Sequence, residues 1–273
     1  MNADRQVEQE INQAVASIAR VYDVFLGGKD NYEVDQQVAG AVIEQIPQTL
    51  AFAQEHRAWL IRAVRFLAKA GVDQFLDCGS GLPTRENTHE AAQRFNPAAT
   101  VVYVDNDPIV GAHGRALLED NDRTHFVDGD LTKPDELLAD PRITGVLDVS
   151  RPFAVIQCST IHHVTDERGP HEIVRRYVDA LPSGSYLALT HWHDPADGGG
   201  GSAIARYISE TFKNSSMGSA NFRSRAEIER FFSGLELVEP GLALLRDWWP
   251  DGPHLNPAQP VDEIVLSGVG RKP

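Results

Sequence analysis

The sequence predicts a doubly wound α/β fold built on a mostly parallel sheet. Five short apolar runs alternate with segments of helical composition: residues 72–77, 100–104, 124–128, 153–158 and 185–190. Alternation of this kind is typical of βαβ units, in which a helix returns the chain to the next parallel strand. Acidic residues end the first three runs, and ligands bind beyond the carboxyl ends of such strands. We therefore expect a ligand site at one edge of the sheet.

The first 70 residues are predicted to be helical. A polar segment, Gln6 to Ile18, has helical composition, and an aromatic segment broken by Gly27-Gly28 follows it. Apolar residues then recur near the helical period through residues 50–70, and the glycine that follows is expected to cap this helix. We accordingly predict an N-terminal helical cap, residues 1–70, packed on a main domain, residues 71–273.

Three features of the main domain complete the prediction. Thr84 is expected to cap the helix that follows Pro83. The glycine run at residues 198–201 is either a mobile connector or a substrate lid. The final segments, 241–248 and 261–270, are predicted to be two longer antiparallel strands that close the sheet.

Composition limits the kinds of partner. Lys and Arg total 25 against 39 Asp and Glu, which gives a net charge of −14, so no global positive field attracts nucleic acid. A set of cations at helical spacing is interpreted as a solvated helix face: Arg57, Arg62, Arg65 and Lys69. No run approaches the roughly 20 apolar residues that cross a bilayer. With only Cys78 and Cys158 present, a disulfide framework is not expected, and we predict a cytoplasmic protein. From the charge and the lack of a long apolar run, we expect binding to neither nucleic acid nor membrane.

A cofactor loop is predicted after the first apolar run. The run ends in Asp77-Cys78-Gly79-Ser80-Gly81, and the two glycines allow backbone to approach a ligand without interference from a Cβ atom. A dinucleotide fingerprint would place a third glycine at position 84, where this chain has Thr84. The loop therefore favours the nucleoside of S-adenosylmethionine over a nicotinamide cofactor.

Two further acids fall in register with this loop. The second run ends at Asp105 and the third leads into Asp130, about one βα unit apart. A carboxylate can accept two hydrogen bonds at once, so Asp105 is suited to a pair of ribose hydroxyls. Asp130 could accept a hydrogen bond from an exocyclic amine. Helix capping or a turn is the structural alternative for each acid taken alone.

These residues resemble the cofactor site of class I S-adenosylmethionine-dependent methyltransferases, over roughly residues 70–190. The resemblance implies that Asp77, Gly79 and Gly81 surround the methionine end of the cofactor. By the same resemblance, Asp105 binds the ribose and Asp130 binds the adenine. It also implies a Rossmann-like sheet of about seven strands with an antiparallel final strand.

Four more residues are predicted to contact the cofactor: Tyr22, Asn106, Leu131 and Ser159. Leu131 or Ile109 would cover the face of the adenine ring, and Ser159 follows the fourth run, which adjoins the transferring methyl in methyltransferases. Tyr22 belongs to the segment Ala19 to Asn31, which is similar to a segment of a large actinobacterial family of S-adenosyl methyltransferases. We interpret this segment as a cap over the cofactor or acceptor mouth.

Four histidines follow the fourth and fifth runs: His162, His163, His191 and His193. A histidine can remove a proton from an attacking oxygen or nitrogen, and His163 and His191 are our candidates. Two alternatives remain: His162 or His163 binds a divalent metal together with His191, His193 or Asp194, or the histidines only shape the pocket and make hydrogen bonds.

The function expected from the sequence is methyl transfer from S-adenosylmethionine to a small or medium-sized acceptor. An alternative is a protein that binds the cofactor without turnover, as a sensor or partner module. A nicotinamide oxidoreductase would keep the fold, but the residue at position 84 counts against it. The sequence does not predict the acceptor or the oligomeric state.

Overall fold

The computed structural model describes residues 14–84 and 86–273. Its helices are α1 (Ile18–Phe25), α2 (Glu33–Gln45), α3 (Thr49–Lys69), α4 (Thr88–Phe95), α5 (Pro108–Leu117), α6 (Pro134–Leu138), α7 (Pro141–Thr144), α8 (Pro170–Ala180), α9 (Gly200–Lys213) and α10 (Arg225–Glu229). Its strands are β1 (Gln74–Cys78), β2 (Thr100–Asp105), β3 (Thr124–Asp128), β4 (Ala154–Gln157), β5 (Tyr186–Trp192), β6 (Glu236–Leu237), β7 (Ala243–Leu244) and β8 (Val265–Arg271). The five predicted apolar runs all form strands. Most of the polar helix predicted at Gln6 to Ile18 lies outside the described residues.

The sheet is doubly wound and mostly parallel. Its strand order is β3-β2-β1-β4-β5-β8-β6, and β7 also pairs with β8. Strands β1 to β5 are parallel, whereas β8 runs antiparallel to β5, β6 and β7. The strand order reverses between β1 and β4, and a crevice opens there beyond the carboxyl ends of the strands.

The sheet has eight strands where about seven were expected, because the penultimate strand is broken. A single strand was predicted over residues 241–248, but only Ala243–Leu244 is extended there, as β7, and β6 pairs with β8 before the predicted range. Between them lie Pro240, which has no N–H for the ladder, and Gly241, which has a φ of 83°. Residues 245–247 then form a 3₁₀ helix instead of extending the strand.

Side-chain alternation divides the core into two layers. Phe75, Tyr103 and Ile156 pack with α1 to α5 and α9 on one face, while Leu76 and Val155 pack with α6 to α8 and α10 on the other. Because successive strand residues point to opposite faces, one strand supplies both layers. Helices α1 to α3 pack into the same hydrophobic core as the strands. The boundary at residue 70 between an N-terminal cap and a main domain stays a prediction.

The turn between α1 and α2 is held by hydrogen bonds. Asp23 accepts from the backbone N–H of Asp30 and the side chain of Asn31 at 2.9 and 2.8 Å. A Cβ atom at Gly28 would overlap the Asp23 carboxylate. The buried Asp35 on α2 accepts from Arg20 on α1 at 2.8 Å. This network fixes α1 against α2 and gives Arg20, Asp23, Gly28 and Asn31 a structural role.

The predicted helix cap at Thr84 was wrong. Helix α4 begins at Thr88, and Asn87 and Glu90 form a capping box at its start. The N–H of Thr84 donates to the Asn87 side chain at 3.0 Å. An Asn followed three residues later by a Glu indicates the start of a helix more strongly than a Thr that follows a Pro.

The glycine run is not a free connector, because it begins helix α9; a role as a lid stays a prediction. Gly199 is the N-cap residue of α9, and Gly200 and Gly201 form its first turn. A Cβ at Gly200 would lie 2.8 Å from Pro260, and one at Gly201 would lie 2.9 Å from Glu263. The glycines therefore let α9 pack closely against residues 260–263. Among the described residues, no helix has the length and apolar character needed to span a membrane.

Candidate active site

A cavity of about 780 Å³ opens beyond the carboxyl ends of β1, β2 and β4. Helices α1, α3 and α9 contribute its opposite wall. Ten of the predicted site residues line it: Tyr22, Asp77, Gly79, Gly81, Asp105, Asn106, Asp130, Leu131, Ser159 and His163. The acids from three different strands therefore face one space, as their register predicted.

The glycine loop after β1 presents bare backbone to the cavity. Gly79 and Gly81 have φ values of 80° and 66°, a region that side-chain-bearing residues rarely adopt. A Cβ at Gly79 would also overlap the methyl group of Thr160. Gly79 is thus required both for its conformation and for the space beside it.

The loop and the end of β2 are joined through Asp105. One carboxylate oxygen accepts from the Gly81 N–H at 2.9 Å, and the other accepts from the Asp107 N–H at 3.0 Å. Burial nevertheless raises the pKa of Asp105 above its ordinary value, and the two N–H groups oppose that shift. The carboxylate is fixed in position with lone pairs left for a ligand.

Asp130 and Leu131 are also fixed. Thr132 donates to one Asp130 oxygen from its backbone N–H and its hydroxyl, at 2.9 and 2.7 Å. Tyr177 donates to the Leu131 carbonyl at 2.8 Å. The second Asp130 oxygen and the Leu131 side chain remain available to the cavity that both residues line.

Asp77 is nearly inaccessible, with a relative exposure of 3%. Burial raises its pKa to about 6, although the Thr88 hydroxyl donates to its carboxylate at 2.6 Å and Arg57 lies close enough to lower it. The nearby Asp105 raises the pKa further. Asp77 is therefore an acid whose charge is costly unless a cation approaches it.

Tyr22 and Ser159 contact the protein as well as the cavity. Tyr22 donates to the Ala53 carbonyl at 3.2 Å, which ties α1 to α3. Ser159 has a φ of 60°, and its N–H donates to the Thr190 hydroxyl at 2.8 Å. Both residues position the cavity wall, and the exposed Asn106 lies at its rim.

Only one of the two proposed bases reaches the cavity. His191 is fully buried and is absent from the cavity wall formed by the described residues. Its Nδ1 bonds the Trp192 carbonyl at 2.8 Å and its Nε2 bonds Arg223 at 2.6 Å. A ring with both nitrogens engaged has no free lone pair, so the assignment of His191 as base does not fit the structure. Strand alternation explains this, since Thr190 and Trp192 point towards the cap and His191 points away.

The His163 ring does face the cavity. It stacks on Phe212 with ring centroids 5.6 Å apart. Its Nδ1 lies 2.9 Å from the Ser219 carbonyl, which can only accept, so Nδ1 carries the proton. Within residues 14–84 and 86–273 no hydrogen bond is made to Nε2. Burial lowers the pKa of His163 to about 4, so the ring is neutral and its Nε2 is an acceptor.

The other histidines do not form a metal centre with it. His162 stacks on Trp192 with centroids 4.3 Å apart, and His193 bonds the Arg223 carbonyl at 3.0 Å. Asp194 accepts from Ser202 at 2.7 Å. In the described part of the chain, no group of three or more His, Cys, Asp or Glu residues is arranged to hold a metal ion.

Arg57 is a site residue that the sequence analysis missed. It was interpreted as part of a solvated helix face, but it lines the cavity beside Asp77. One guanidinium nitrogen donates to the Glu86 carbonyl at 2.6 Å. Its Nε is buried, and the described residues offer it no hydrogen-bond partner. Arg62 from the same set is also buried and donates to the Leu245 carbonyl at 2.7 Å.

Comparison with known proteins identifies the family. The profile of the S-adenosyl methyltransferase family matches residues 4–273, almost the whole chain. The chain belongs to this family. As an S-adenosyl methyltransferase, it uses S-adenosylmethionine as its cofactor and methyl donor.

Solved structures agree with this assignment. The S-adenosyl methyltransferase described here is similar to a proposed methyltransferase from Thermobifida fusca YX, with 39% identity and a TM-score of 0.90. That match covers 98% of this chain and 99% of the other. A DUF574 family protein from Streptomyces avermitilis MA-4680 is 38% identical with a TM-score of 0.90, over 96% and 100% of the two chains.

More distant structures share only the fold. The N-methyltransferase NodS from Bradyrhizobium japonicum WM9 is 14% identical, with a TM-score of 0.50 over 82% of this chain and 97% of that one. A search of the curated proteins found no match.

The cavity of this methyltransferase fits S-adenosylmethionine. Its volume lies in the upper part of the roughly 300–1,000 Å³ that ligand sites span. Gly79 leaves backbone open where a side chain would intrude. The buried Nε of Arg57, which has no hydrogen-bond partner among the described residues, is a donor suited to a carboxylate, and the neighbouring Asp77 carboxylate suits the cationic end of the cofactor.

Proposed function

We propose that this methyltransferase transfers the methyl group to a small or medium-sized acceptor bound in the same cavity. The observation that carries the proposal is the convergence of Gly79–Gly81, Asp105 and Asp130 on a cavity that also contains the open Nε2 of His163. When bound, S-adenosylmethionine supplies an electrophilic methyl group on a cationic sulfur.

The proposed cofactor contacts follow from the fixed acids. Asp105, held by Gly81 and Asp107, accepts hydrogen bonds from the ribose hydroxyls. Asp130 accepts from the adenine amine while Leu131 covers the ring. Arg57 pairs with the carboxylate at the other end of the cofactor, which would satisfy its buried Nε.

In this proposal His163 receives the acceptor's proton on Nε2. The Ser219 carbonyl holds the ring in the tautomer that leaves Nε2 unprotonated. Because its pKa is lowered to about 4, the ring stays neutral at mildly acidic pH, and Nε2 can still accept a proton. Alignment of acceptor, methyl and sulfur in this cavity supplies much of the remaining acceleration.

Two variants and two ligands test the cofactor site. Calorimetry measures binding of S-adenosylhomocysteine and of methylthioadenosine, which keeps the nucleoside but lacks the amino-acid end. We expect Asp105→Asn to weaken both ligands by about tenfold or more, since it removes a charged hydrogen-bond acceptor from the ribose. Arg57→Gln should weaken only S-adenosylhomocysteine.

Asp128→Asn is the matched control, because Asp128 ends β3 but pairs with Arg115 at the surface. It should bind both ligands like the parent protein. Absence of S-adenosylhomocysteine binding by the parent protein would contradict the proposal. Equal loss of both ligands in Arg57→Gln would contradict the assignment of Arg57.

The proposed location is the cytoplasm. Cys78 and Cys158 are both free thiols, a state typical of a reducing compartment. Fractionation of cells that produce the protein tests this; recovery with the secreted or membrane fraction would contradict it.

A further inference from the structure

The two walls of the cavity differ in chemical character. The wall after β1, β2 and β3 contains the acids Asp77, Asp105 and Asp130. The opposite wall comes from α1, the end of α2, the start of α3, α9 and the residues before β8. Its side chains are mainly apolar: Val21, Phe25, Val42, Ile46, Phe52, Ile208, Phe212, Met217, Val261 and Ile264. We call this the cap wall. It is not needed to explain the cofactor contacts.

Within the described residues, the cap wall has no ionic group free to pair with an acceptor apart from Arg57 on α3, which the proposed function pairs with the cofactor carboxylate. The other arginine, Arg20, is buried and paired with the buried Asp35 at 2.8 Å. His56 bonds the Thr190 hydroxyl at 2.7 Å, and burial lowers its pKa to about 3. Burial also raises the pKa of Tyr22, which keeps its hydroxyl protonated. A charged ligand would lose its hydration here without gaining a partner.

Aromatic side chains frame the cavity where His163 meets the cap wall. Trp192 meets Phe212 edge to face with centroids 5.4 Å apart. The ring of His163 lies 5.9 Å from that of Trp192, at 62°. The three rings therefore pack on one another and form an aromatic edge of the cavity, on which a flat apolar molecule can stack.

The open Nε2 of His163 is the polar atom suited to orient a molecule in this frame. It lacks a proton, because the proton of the neutral ring is on Nδ1, which donates a hydrogen bond to the Ser219 carbonyl. It can therefore accept a hydrogen bond from a ligand hydroxyl and cannot donate one. A ligand with an ether oxygen at the same position would gain no hydrogen bond.

We propose that the methyl acceptor is an uncharged, apolar ring compound whose hydroxyl group binds to Nε2 of His163 against the cap wall. This inference rests on the proposed function. In the transfer step, the hydroxyl oxygen forms a bond to the methyl carbon as the carbon–sulfur bond breaks, and that electron pair stays on sulfur. The hydroxyl proton passes to Nε2. The products are a methyl ether, the neutral thioether S-adenosylhomocysteine and an imidazolium that releases its proton to water.

Binding of three related probes tests the inference. Naphthol is an uncharged ring alcohol at neutral pH, naphthoate carries a carboxylate on the same ring, and methoxynaphthalene replaces the hydroxyl by a methyl ether. Each is titrated into the full chain saturated with S-adenosylhomocysteine. We expect naphthol to bind at least about tenfold more tightly than naphthoate, because a charge must be desolvated without a partner.

A variant pair assigns the hydroxyl contact. In the parent protein naphthol should bind more tightly than methoxynaphthalene. His163→Leu should abolish this preference while leaving S-adenosylhomocysteine affinity unchanged. The matched control is His171→Leu, since His171 also bonds a backbone carbonyl and stacks on an aromatic ring, Phe231, but lies outside the cavity. It should retain the preference.

The failures are distinguishable. If the parent protein does not bind S-adenosylhomocysteine, both the proposed function and this inference are contradicted. If the parent protein binds S-adenosylhomocysteine, three results would each contradict this inference but not the proposed function. Naphthoate binds as tightly as naphthol, naphthol shows no binding at concentrations up to its solubility limit, or the preference for naphthol over methoxynaphthalene survives in His163→Leu.

Discussion

Asp77 carries a free-energy cost at neutral pH, because its carboxylate is buried beside another acid, Asp105. Its hydrogen bond from Thr88 and the nearby Arg57 reduce this cost but leave the pKa at about 6. A buried carboxylate that lowers the stability of the fold is typical of a binding site, where a ligand supplies a compensating positive charge.

Asp77→Asn should therefore stabilise the cofactor-free protein and weaken cofactor binding. The folded pKa lies above the unfolded value of 3.8, so the folded state holds the proton more tightly and ionisation lowers stability as pH rises through this window. At neutral pH we expect the variant to gain about 1–3 kcal/mol. Urea unfolding without ligand and calorimetry with S-adenosylhomocysteine measure the two effects.

The gain should vanish below pH 4, where Asp77 is protonated in both states of the parent protein. A variant that is less stable than the parent at neutral pH would show that the carboxylate is well paired in the folded state.

At the scale of elements, the α1–α2 turn determines whether the cap wall forms. Gly27 has a φ of 75°, and Gly28 lies against the Asp23 carboxylate that accepts from the two residues after Lys29. Helix α1 also carries Tyr22 and Phe25 into the cavity. Distortion of the turn would therefore move cavity residues that are several positions away.

Two glycine-to-alanine variants separate this effect from general stability. Gly28→Ala should lower stability by about 1–3 kcal/mol, because the new Cβ overlaps Asp23 and breaks the turn. Gly40→Ala, inside α2 with nothing within 4 Å of its new Cβ, should raise stability by about 0.5–1 kcal/mol. Thermal unfolding measures both.

Hydrogen exchange over α1 and α2 should increase only in Gly28→Ala, and naphthol binding should fall with it. Equal behaviour of the two variants would show that Asp23 and its partners do not hold the cap.

Elements also show which parts of the site the sequence could predict. Asp77, Asp105 and Asp130 were predictable because each follows an apolar run, and parallel strands bring their ends together. The base at His191 was wrong for a reason already present in the sequence, since strand residues alternate between faces. The cap wall was not predictable in this way: Phe52 and Phe212 meet the same cavity from segments far apart in the chain.

At the scale of the whole molecule, buried neutral histidines make stability depend on pH. Burial lowers the pKa of His56 and His191 to about 3 and that of His163 to about 4, and it lowers the pKa of His162 well below its usual value. The unfolded chain binds protons at these imidazoles near pH 6.5, whereas the folded protein does not. Their contribution to stability is therefore complete above pH 6.5 and falls as the pH drops below it.

We expect unfolding at pH 5.5 to take up about two to three protons, after subtraction of the proton that Asp77 releases; this corresponds to about 3–4 kcal/mol of stability per pH unit. Urea unfolding at a series of pH values between 8 and 5.5 measures the slope. His56→Gln should reduce the uptake by nearly one proton, because glutamine can keep the contact to Thr190 but does not titrate. A stability that stays flat across this range would mean that these imidazoles are solvated, and the neutral base assigned to His163 would lose its physical basis.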